Sequence, residues 1–462
     1  MIISGYTLAV GQWLSAFDYV YQGADRIARV YKEAAKRPFA LPAISNYQVL
    51  VSSAEHIKEL AQAPDELLSF YKAMNERLFF KYTMGGFVPD NGVDNNNGIP
   101  NRVFKILARE NLPRLSVPLQ ERVSEVFHEF FENGRIGEGL SKMPLHTLSG
   151  TLIARMNNTL LFGSELARNP SFEKASIKYG WHSGIAMEIF RQIPTCFVPV
   201  VAKVFMAWSG AMHKVSAAVQ NLVNQRVREK MFTTKDNKNE EHLDCTEWVI
   251  SCSHTPEQAH PTRIAQQMMA LLFASTHQMQ MALTWAIAEL CLHPEYIMLL
   301  RSEITSIFAT NCKNPYEQLR LMECFLRESS RLNPIDALNV QRKAMQPYTF
   351  SGGFHVPAGN IVAIPQREIM RDASHYLDPE IFNPYRFMTN NSDDEASTKY
   401  TDVNWEYTFW GSPRLSCPGR WYASYALKHA LVHLLMTYEF SLQRPEPGLK
   451  RHFIWTTAIV PK

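Results

Sequence analysis

Phe409-Trp410-Gly411-Ser412-Pro413-Arg414-Leu415-Ser416-Cys417-Pro418-Gly419-Arg420 is the stretch that decides how this chain is read. Gly411, Ser412 and Pro413 break any regular strand or helix, so the chain forms a tight, shaped loop here. After Pro418, the run from Trp421-Tyr422-Ala423 to Leu435 carries apolar residues at helical spacing and no proline. Cys417 therefore sits on a loop that feeds a helix N-terminus. Free N–H groups and the positive end of the helix dipole stabilise a thiolate at such a place. A cysteine presented this way can be an inert buried thiol, a nucleophile or a metal ligand. The loop alone leaves all three open.

Bulk properties narrow the class. A chain of 462 residues is one large domain or two to three ordinary ones. Hydrophobic residues at 46% and charged residues at 20% allow a sizeable core, which argues against disorder. A net charge of +3 gives no argument for nucleic acid, and no long run of like charges forms a polyionic tail. Seven cysteines (196, 245, 252, 291, 312, 324 and 417) form no C-x-x-C pair. Their odd number reads as free thiols in a reducing compartment. Met1 to Phe17 is uncharged but interrupted by Ser4, Gly5, Thr7, Gly11, Gln12 and Ser15. It falls short of the roughly 20 apolar residues of a spanning helix, and no basic residue precedes it as in a signal peptide.

In chain order, Asp25 to Ala35 is helical, and Phe39–Pro42 and Gln48–Val51 read as short strands around a turn at Ser45-Asn46. Ser53 caps a helix to about Gln62. Met84 to Asn101 is a loop, followed by a helix from Asn101 to Asn111 that Pro113 ends. Leu119–Phe131, Ser149–Leu161 and Pro170–Val200 are helical, and Trp181, Phe190, Phe197 and Phe205 are either core or the wall of an apolar pocket. Met231 to His242 is a charged surface loop, and Asn390 to Lys399 a polar one. Ile264 to Ala288 has no charged residue, yet Gln266, Gln267, His277, Gln278 and Gln280 would be costly in lipid, so the run is a long helix buried in protein. Glu328 and Arg331, three apart, share a helix face, where a weak surface pair is the simplest reading. Asn339–Arg342 and Tyr348–Phe350 read as short strands around Ser351-Gly352-Gly353.

The Cys417 loop resembles the haem-thiolate loop of the cytochrome P-450 family. The matching residues are Trp410-Gly411, Cys417-Pro418-Gly419-Arg420 and Ala423, with Pro413 and Leu415 departing from the pattern and Arg414 standing one place before the usual basic residue. Glu328-x-x-Arg331 and Phe382-Asn383-Pro384-Tyr385-Arg386-Phe387 match two further motifs of the family in the expected order. The resemblance implies a mainly α cytochrome P-450 fold with a small β-region. Residues 19–462 would be one haem-thiolate domain, and 1–18 a segment that is the remnant of a membrane anchor if the family habit holds. It implies haem b with Cys417 as axial iron ligand, Arg342, Arg414 and Lys105 toward the propionates, and a structural Glu328–Arg331–Arg386 network. Ala274-Ser275-Thr276-His277-Gln278 aligns with the segment that faces dioxygen, where Ala274 leaves room and His277 and Gln278 replace the usual acid and alcohol.

A thiolate opposite the oxygen site favours O–O cleavage, so the implied activity is a monooxygenase for a hydrophobic small molecule. The motifs resemble fungal members that tailor terpenoids or indole alkaloids. No G-x-G-x-x-G fingerprint appears, so electrons would come from an NADPH-cytochrome reductase, at the cytoplasmic face of the endoplasmic reticulum membrane if an anchor exists and otherwise in the cytoplasm. The alternatives are a haem-thiolate isomerase, dehydratase or oxidative coupling enzyme of the same fold, and a non-catalytic haem-binding protein.

Overall fold

Apolar residues recurring three and four apart make helices, and these form most of the chain. The structure is a computed structural model and describes residues 2–3, 9–43, 46–89, 93, 98–232, 242–310, 312–388, 399–443, 452–455 and 457–461. The helices that matter below are α1 (Ala9–Ala34), α2 (Ala54–Gln62), α3 (Arg109–Asn133), α4 (Leu145–Ala167), α5 (Pro170–Phe190), α6 (Val198–Ser209), α7 (Pro261–Leu292), α8 (Arg320–Leu332) and α9 (Arg420–Thr437).

The uncharged run becomes α7, of 32 residues, with Pro261 at its first turn and the His260 side chain accepting from the Thr262 N–H. Leu272, Phe273, Met279 and Leu283 of α7 share one core with Leu152, Met156 and Leu160 of α4 and with Tyr422 and Leu427 of α9. Each such side chain contributes roughly 1.5–3 kcal/mol by leaving water. Propensity differences within a helix are tenths of that, so burial on many faces, and not intrinsic preference, holds α7. Leu272→Ala, at 3% exposure, would cost roughly 2–5 kcal/mol.

The β-region is one six-stranded sheet and short hairpins. Its strands are β1 (Ile2–Ile3), β2 (Phe39–Pro42), β3 (Tyr47–Leu50), β4 (Leu68–Ser69), β5 (Asn339–Ala344) and β6 (Ile361–Ile364), in the order β1-β2-β3-β6-β5-β4. All four residues of β2 and of β6 are buried, as in strands covered on both faces. Register places Val362 of β6 opposite both Val49 and Arg342, which fixes the backbone of Arg342 against β6. A final antiparallel pair, β7 (His452–Trp455) and β8 (Ala458–Pro461), lies near the end of the chain.

Two helix boundaries differ from the sequence reading. Pro113 does not end a helix: the chain runs from Gly98–Arg102 through a π-helical stretch, Val103–Ala108, into α3, with Pro113 and Pro118 inside it. Buried Leu112, Leu115, Leu119, Val123 and Phe127 hold that helix together across both prolines. The Pro170–Val200 run instead breaks after Phe190, where Pro194 lacks an N–H and disfavours helix in its predecessor. The four aromatic residues differ in burial, and Phe205 packs against the cluster that holds Phe190. Phe190 is buried edge-on against Phe79 and Tyr82, while Trp181 and Phe197 are 45% and 59% exposed. Among the described residues, no helix is long and apolar enough to cross a membrane. Residues 1 and 4–8 of the N-terminal segment, Ser45, and most of the two polar loops at 231–242 and 390–399 lie outside the described residues.

Candidate active site

The Cys417 loop is shaped by its own backbone. Gly411 lies at φ +98°, and a Cβ there would come within 2.5 Å of the Leu415 carbonyl oxygen, so only glycine fits. Gly411 then pairs with Ser416 as an antiparallel bridge, and the Cys417 N–H donates to the Trp410 carbonyl at 2.7 Å. Trp410 is itself fixed, its indole N–H donating to the Tyr400 carbonyl at 2.7 Å. The Tyr400 N–H donates to Glu323 of α8, and Glu323 pairs with the buried Lys428 of α9. Asn339 donates to the Thr408 carbonyl from the sheet side at 2.6 Å. Both flanks of the cysteine are thus tied to rigid elements, and Cys417 itself is partly exposed at the edge of the main core.

Burial pushes the Cys417 thiol up; the Gly419 and Arg420 N–H groups and the charges of Arg420 and Lys105 pull it back. Arg420 reaches across the loop to the Ser416 hydroxyl at 3.1 Å and the Cys417 carbonyl at 2.8 Å, and its guanidinium stacks on Trp421 at 3.6 Å. Lys105 sits half-buried on the π-helical stretch, whose Phe104 ring lies against Gly419. Such stretches are frequent at functional sites.

Of the expected basic residues, Arg342 has the most telling surroundings. It is 2% exposed, its Nε has no hydrogen-bond partner in the protein, and the Phe70 ring is 5.4 Å away. Burial, and next to it the charge of Arg414, push its pKa down to about 10, with Asp65 opposing. Arg414 is placed differently from Arg342. Its side chain is exposed, and one terminal N–H group is spent on the carbonyls of Gln62 and Ala63 at the end of α2. The last turn of α2 offers unsatisfied carbonyls there, which is why a guanidinium settles on it.

The structure brings Glu328, Arg331 and Arg386 together. Arg331 donates to both Glu328 oxygens, Nε at 2.7 Å and Nη2 at 2.9 Å, and neither side chain is exposed at all. Arg386 Nε and the Asn383 N–H add bonds to Oε1 at 3.1 and 2.9 Å. Arg386 also binds the carbonyls of Leu377 and Ile381, so the network pins the 377–386 segment to α8. None of this is a surface pair.

On α7, Ala274 and Gln278 are exposed although Leu272, Phe273 and Met279 beside them are buried. One helical turn apart, they mark a face of α7 that its neighbours leave open. His277 does not join them. Its Nε2 donates to the Gly180 carbonyl of α5 at 2.9 Å, its ring meets Phe273 edge-on, and Gly184 is small enough to admit it, since a Cβ there would lie 3.1 Å from the ring. Burial lowers its pKa, which keeps the imidazole neutral. One residue of helix rotation, about 100°, thus separates His277, in a contact with α5, from Gln278 on the exposed face. Sequence reading missed the Glu323–Lys428 pair, because a contact between helices distant in sequence has no local spacing.

The family model described as cytochrome P-450 matches residues 12–458. Cytochrome P-450 monooxygenase 71 of Postia placenta is 26% identical over 98% of this chain and 89% of its own length. Cytochrome P-450 monooxygenase ltmQ of Epichloe festucae var. lolii is 25% identical, over 96% and 87%. Among solved structures, the retinoic acid-bound cyanobacterial CYP120A1 superposes with a TM-score of 0.72, covering 96% of this chain and 95% of that one at 16% identity.

Proposed function

The chain belongs to the cytochrome P-450 family, and from that premise we propose that residues 19–462 act as one haem-thiolate domain that oxidises a hydrophobic fungal secondary metabolite of the terpenoid or indole alkaloid type. The residues present fit haem b. Cys417 would hold the haem iron through its sulfur, on a loop fixed by the bond from its N–H to the Trp410 carbonyl. The buried, unpartnered Nε of Arg342 calls for an anion, and a propionate carboxylate supplies one. Lys105 and the remaining N–H groups of Arg414 would be the cations for the second propionate. When bound, the haem supplies dioxygen activation, with the thiolate favouring O–O cleavage.

What the chain adds is positioning. Ala274 leaves space on the open face of α7, and Gln278 presents an amide able to hold a water in line for proton delivery. The observation that carries the reading is Cys417 on its braced loop beside Lys105. Electrons come from an NADPH-cytochrome reductase. For location, we favour the cytoplasmic face of the endoplasmic reticulum membrane, supported by the exposed apolar stripe Phe197, Val200, Val204 and Trp208 along α6, between 59% and 83% exposed. Binding to lipid vesicles that survives Val204→Asp with Trp208→Asp would refute that docking face.

The haem reading is tested by the reduced carbon monoxide spectrum. Wild type shows the red-shifted absorption of a thiolate ligand, and Cys417→Ala loses it; retention of the band in the variant would overturn the assignment. The altered Ala274–Gln278 segment favours one second reading, an isomerase or dehydratase of the same fold. NADPH and oxygen consumed in step with a terpenoid or indole substrate decides for the monooxygenase.

A further inference from the structure

A buried polar chain links α9 to α7 and has no part in the function above. Tyr422, five residues beyond Cys417, donates its hydroxyl to Asn157 Oδ1 of α4 at 3.0 Å. Asn157 Nδ2 donates in turn to the Ser275 carbonyl of α7 at 3.0 Å. Asn157 is fully buried and Tyr422 is 2% exposed. Burial holds the Tyr422 phenol far above its ordinary pKa, so it stays protonated and remains a donor. A carbonyl only accepts, so the amide must turn its NH2 toward Ser275, and its oxygen then needs the hydroxyl. Neither orientation nor partner can be exchanged without leaving a buried polar atom unsatisfied.

Ser275 lies between Ala274 and Gln278, the two residues exposed on the open face. The same turn is loaded further: the Ser275 and Thr276 hydroxyls both donate back to the Leu272 carbonyl, at 3.2 and 2.7 Å. Back-bonding from a position like Thr276, four residues on, slightly destabilises a helix. A helix weakened there needs an external hold if the groups it presents are to keep their direction.

We propose that Asn157 is a positioning residue for the oxygen side of the site. It fixes α7 by the Ser275 carbonyl, and Tyr422 locks its amide, so that the helix following the cysteine loop also sets the facing of Ala274 and Gln278. The inference rests on the haem-thiolate reading above.

The test uses the full chain with haem, as wild type, Tyr422→Phe, Asn157→Leu and a control, Asn158→Leu. Asn158 is equally buried on α4, but its amide bonds the Ser176 hydroxyl of α5 at 2.9 Å. Two quantities are read: the C–O stretching band of the reduced carbon monoxide complex, which senses polar groups on that side, and peroxide released per NADPH with reductase. Tyr422→Phe and Asn157→Leu keep the thiolate absorption, broaden or shift the C–O band, and raise the peroxide share about three- to tenfold, the equivalent of one buried hydrogen bond. Asn158→Leu leaves both readouts in place. A wild-type C–O band and peroxide share in Tyr422→Phe, or an equal change in Asn158→Leu, would overturn the proposal; should Asn157→Leu not fold, Tyr422→Phe decides by the same criteria. Absence of the thiolate absorption in wild type would instead defeat the haem-thiolate reading, and the proposal with it.

Discussion

Glu328→Ala should be the most damaging single change outside the cysteine itself. The Glu328 carboxylate accepts two bonds from Arg331, one from Arg386 and one from the Asn383 N–H. Removing it leaves the guanidinium of Arg331, with no exposed surface, without a counter-charge and held by its bond to the Met370 carbonyl at 2.7 Å and the Tyr376 ring 4.9 Å away. Breaking a buried pair from one side costs about 3–5 kcal/mol, against a total stability of roughly 5–15 kcal/mol. For a chain of 462 residues, an unfolding entropy of about 2.1 cal/mol/K per residue sums to roughly 1 kcal/mol/K, so the loss reads as a fall in Tm of about 3–5 °C. The local effect is larger than the global one, because Asn383 and Arg386 lose their anchor together and the 377–386 segment comes free of α8. Glu328→Ala is therefore expected mostly as haem-free or aggregated protein. Replacing both members of the pair, Glu328→Leu with Arg331→Leu, should cost less than Glu328→Ala alone, since the fully buried Arg331 charge is no longer stranded and only Arg386, which keeps its backbone carbonyl partners, loses the carboxylate. Haem content by absorbance and Tm by circular dichroism measure both. A haem-loaded Glu328→Ala melting within about 1 °C of wild type would refute the reasoning.

His277→Ala loses one buried bond to Gly180, worth about 1 kcal/mol net, and should lower Tm by roughly 1 °C while leaving peroxide release per NADPH unchanged; a clear rise in peroxide at normal haem content would return His277 to proton handling. His429 on α9 is stacked on Tyr316 at 3.7 Å, and burial holds its pKa down to about 3. Its folded pKa lies below the unfolded value of about 6.5, so the unfolded chain takes up a proton that the folded one refuses, and stability falls as pH drops through that window. His429→Phe keeps the ring contact and should remove about 1.4 kcal/mol per pH unit from the slope of stability between pH 6 and 5. Denaturant titrations at the two pH values check it, and an unchanged slope would mean that His429 is protonated in the fold.

Much of this architecture is legible in the sequence, for a physical reason that differs from place to place. The cysteine loop reads well because a positive-φ glycine, a proline and a helix start are local events written in adjacent residues. The first hairpin strands and the Ser53 cap are local too. The central helix reads from an absence of charge, which only burial explains. Boundaries at Pro113 and Phe190 were harder to place because a proline's effect depends on what the rest of the helix buries: Pro113 is overruled by a continuous apolar face, and Pro194 is not. Side-chain direction around the axis is less legible still. His277 and Gln278 are adjacent in sequence and differ by one helical step, yet α5 takes the first and leaves the second open.

The same limit explains why the tethers of the site escaped the sequence. Glu323 and Lys428 are 105 residues apart, Tyr422 and Asn157 are 265 apart, and nothing in either neighbourhood announces the pairing. Their placement has a common logic. α8 and α9 grip the Cys417 loop through Glu323, Lys428, Tyr400 and Trp410, whereas α4 and α9 grip α7 through Asn157 and Tyr422. α9 takes part in both grips. A substitution that tilts α9 would therefore move the thiolate loop and the Ala274–Gln278 face together, whereas one at Trp410 would move the loop alone. The first should alter the Cys417 absorption and the C–O band at once, and the second should leave the C–O band where it is. Two spectral readouts that respond separately to Trp410→Phe and jointly to Tyr425→Ala, a buried residue of α9 packed edge-on against Tyr316, would be the mark of that shared helix; a C–O band untouched by Tyr425→Ala would deny it.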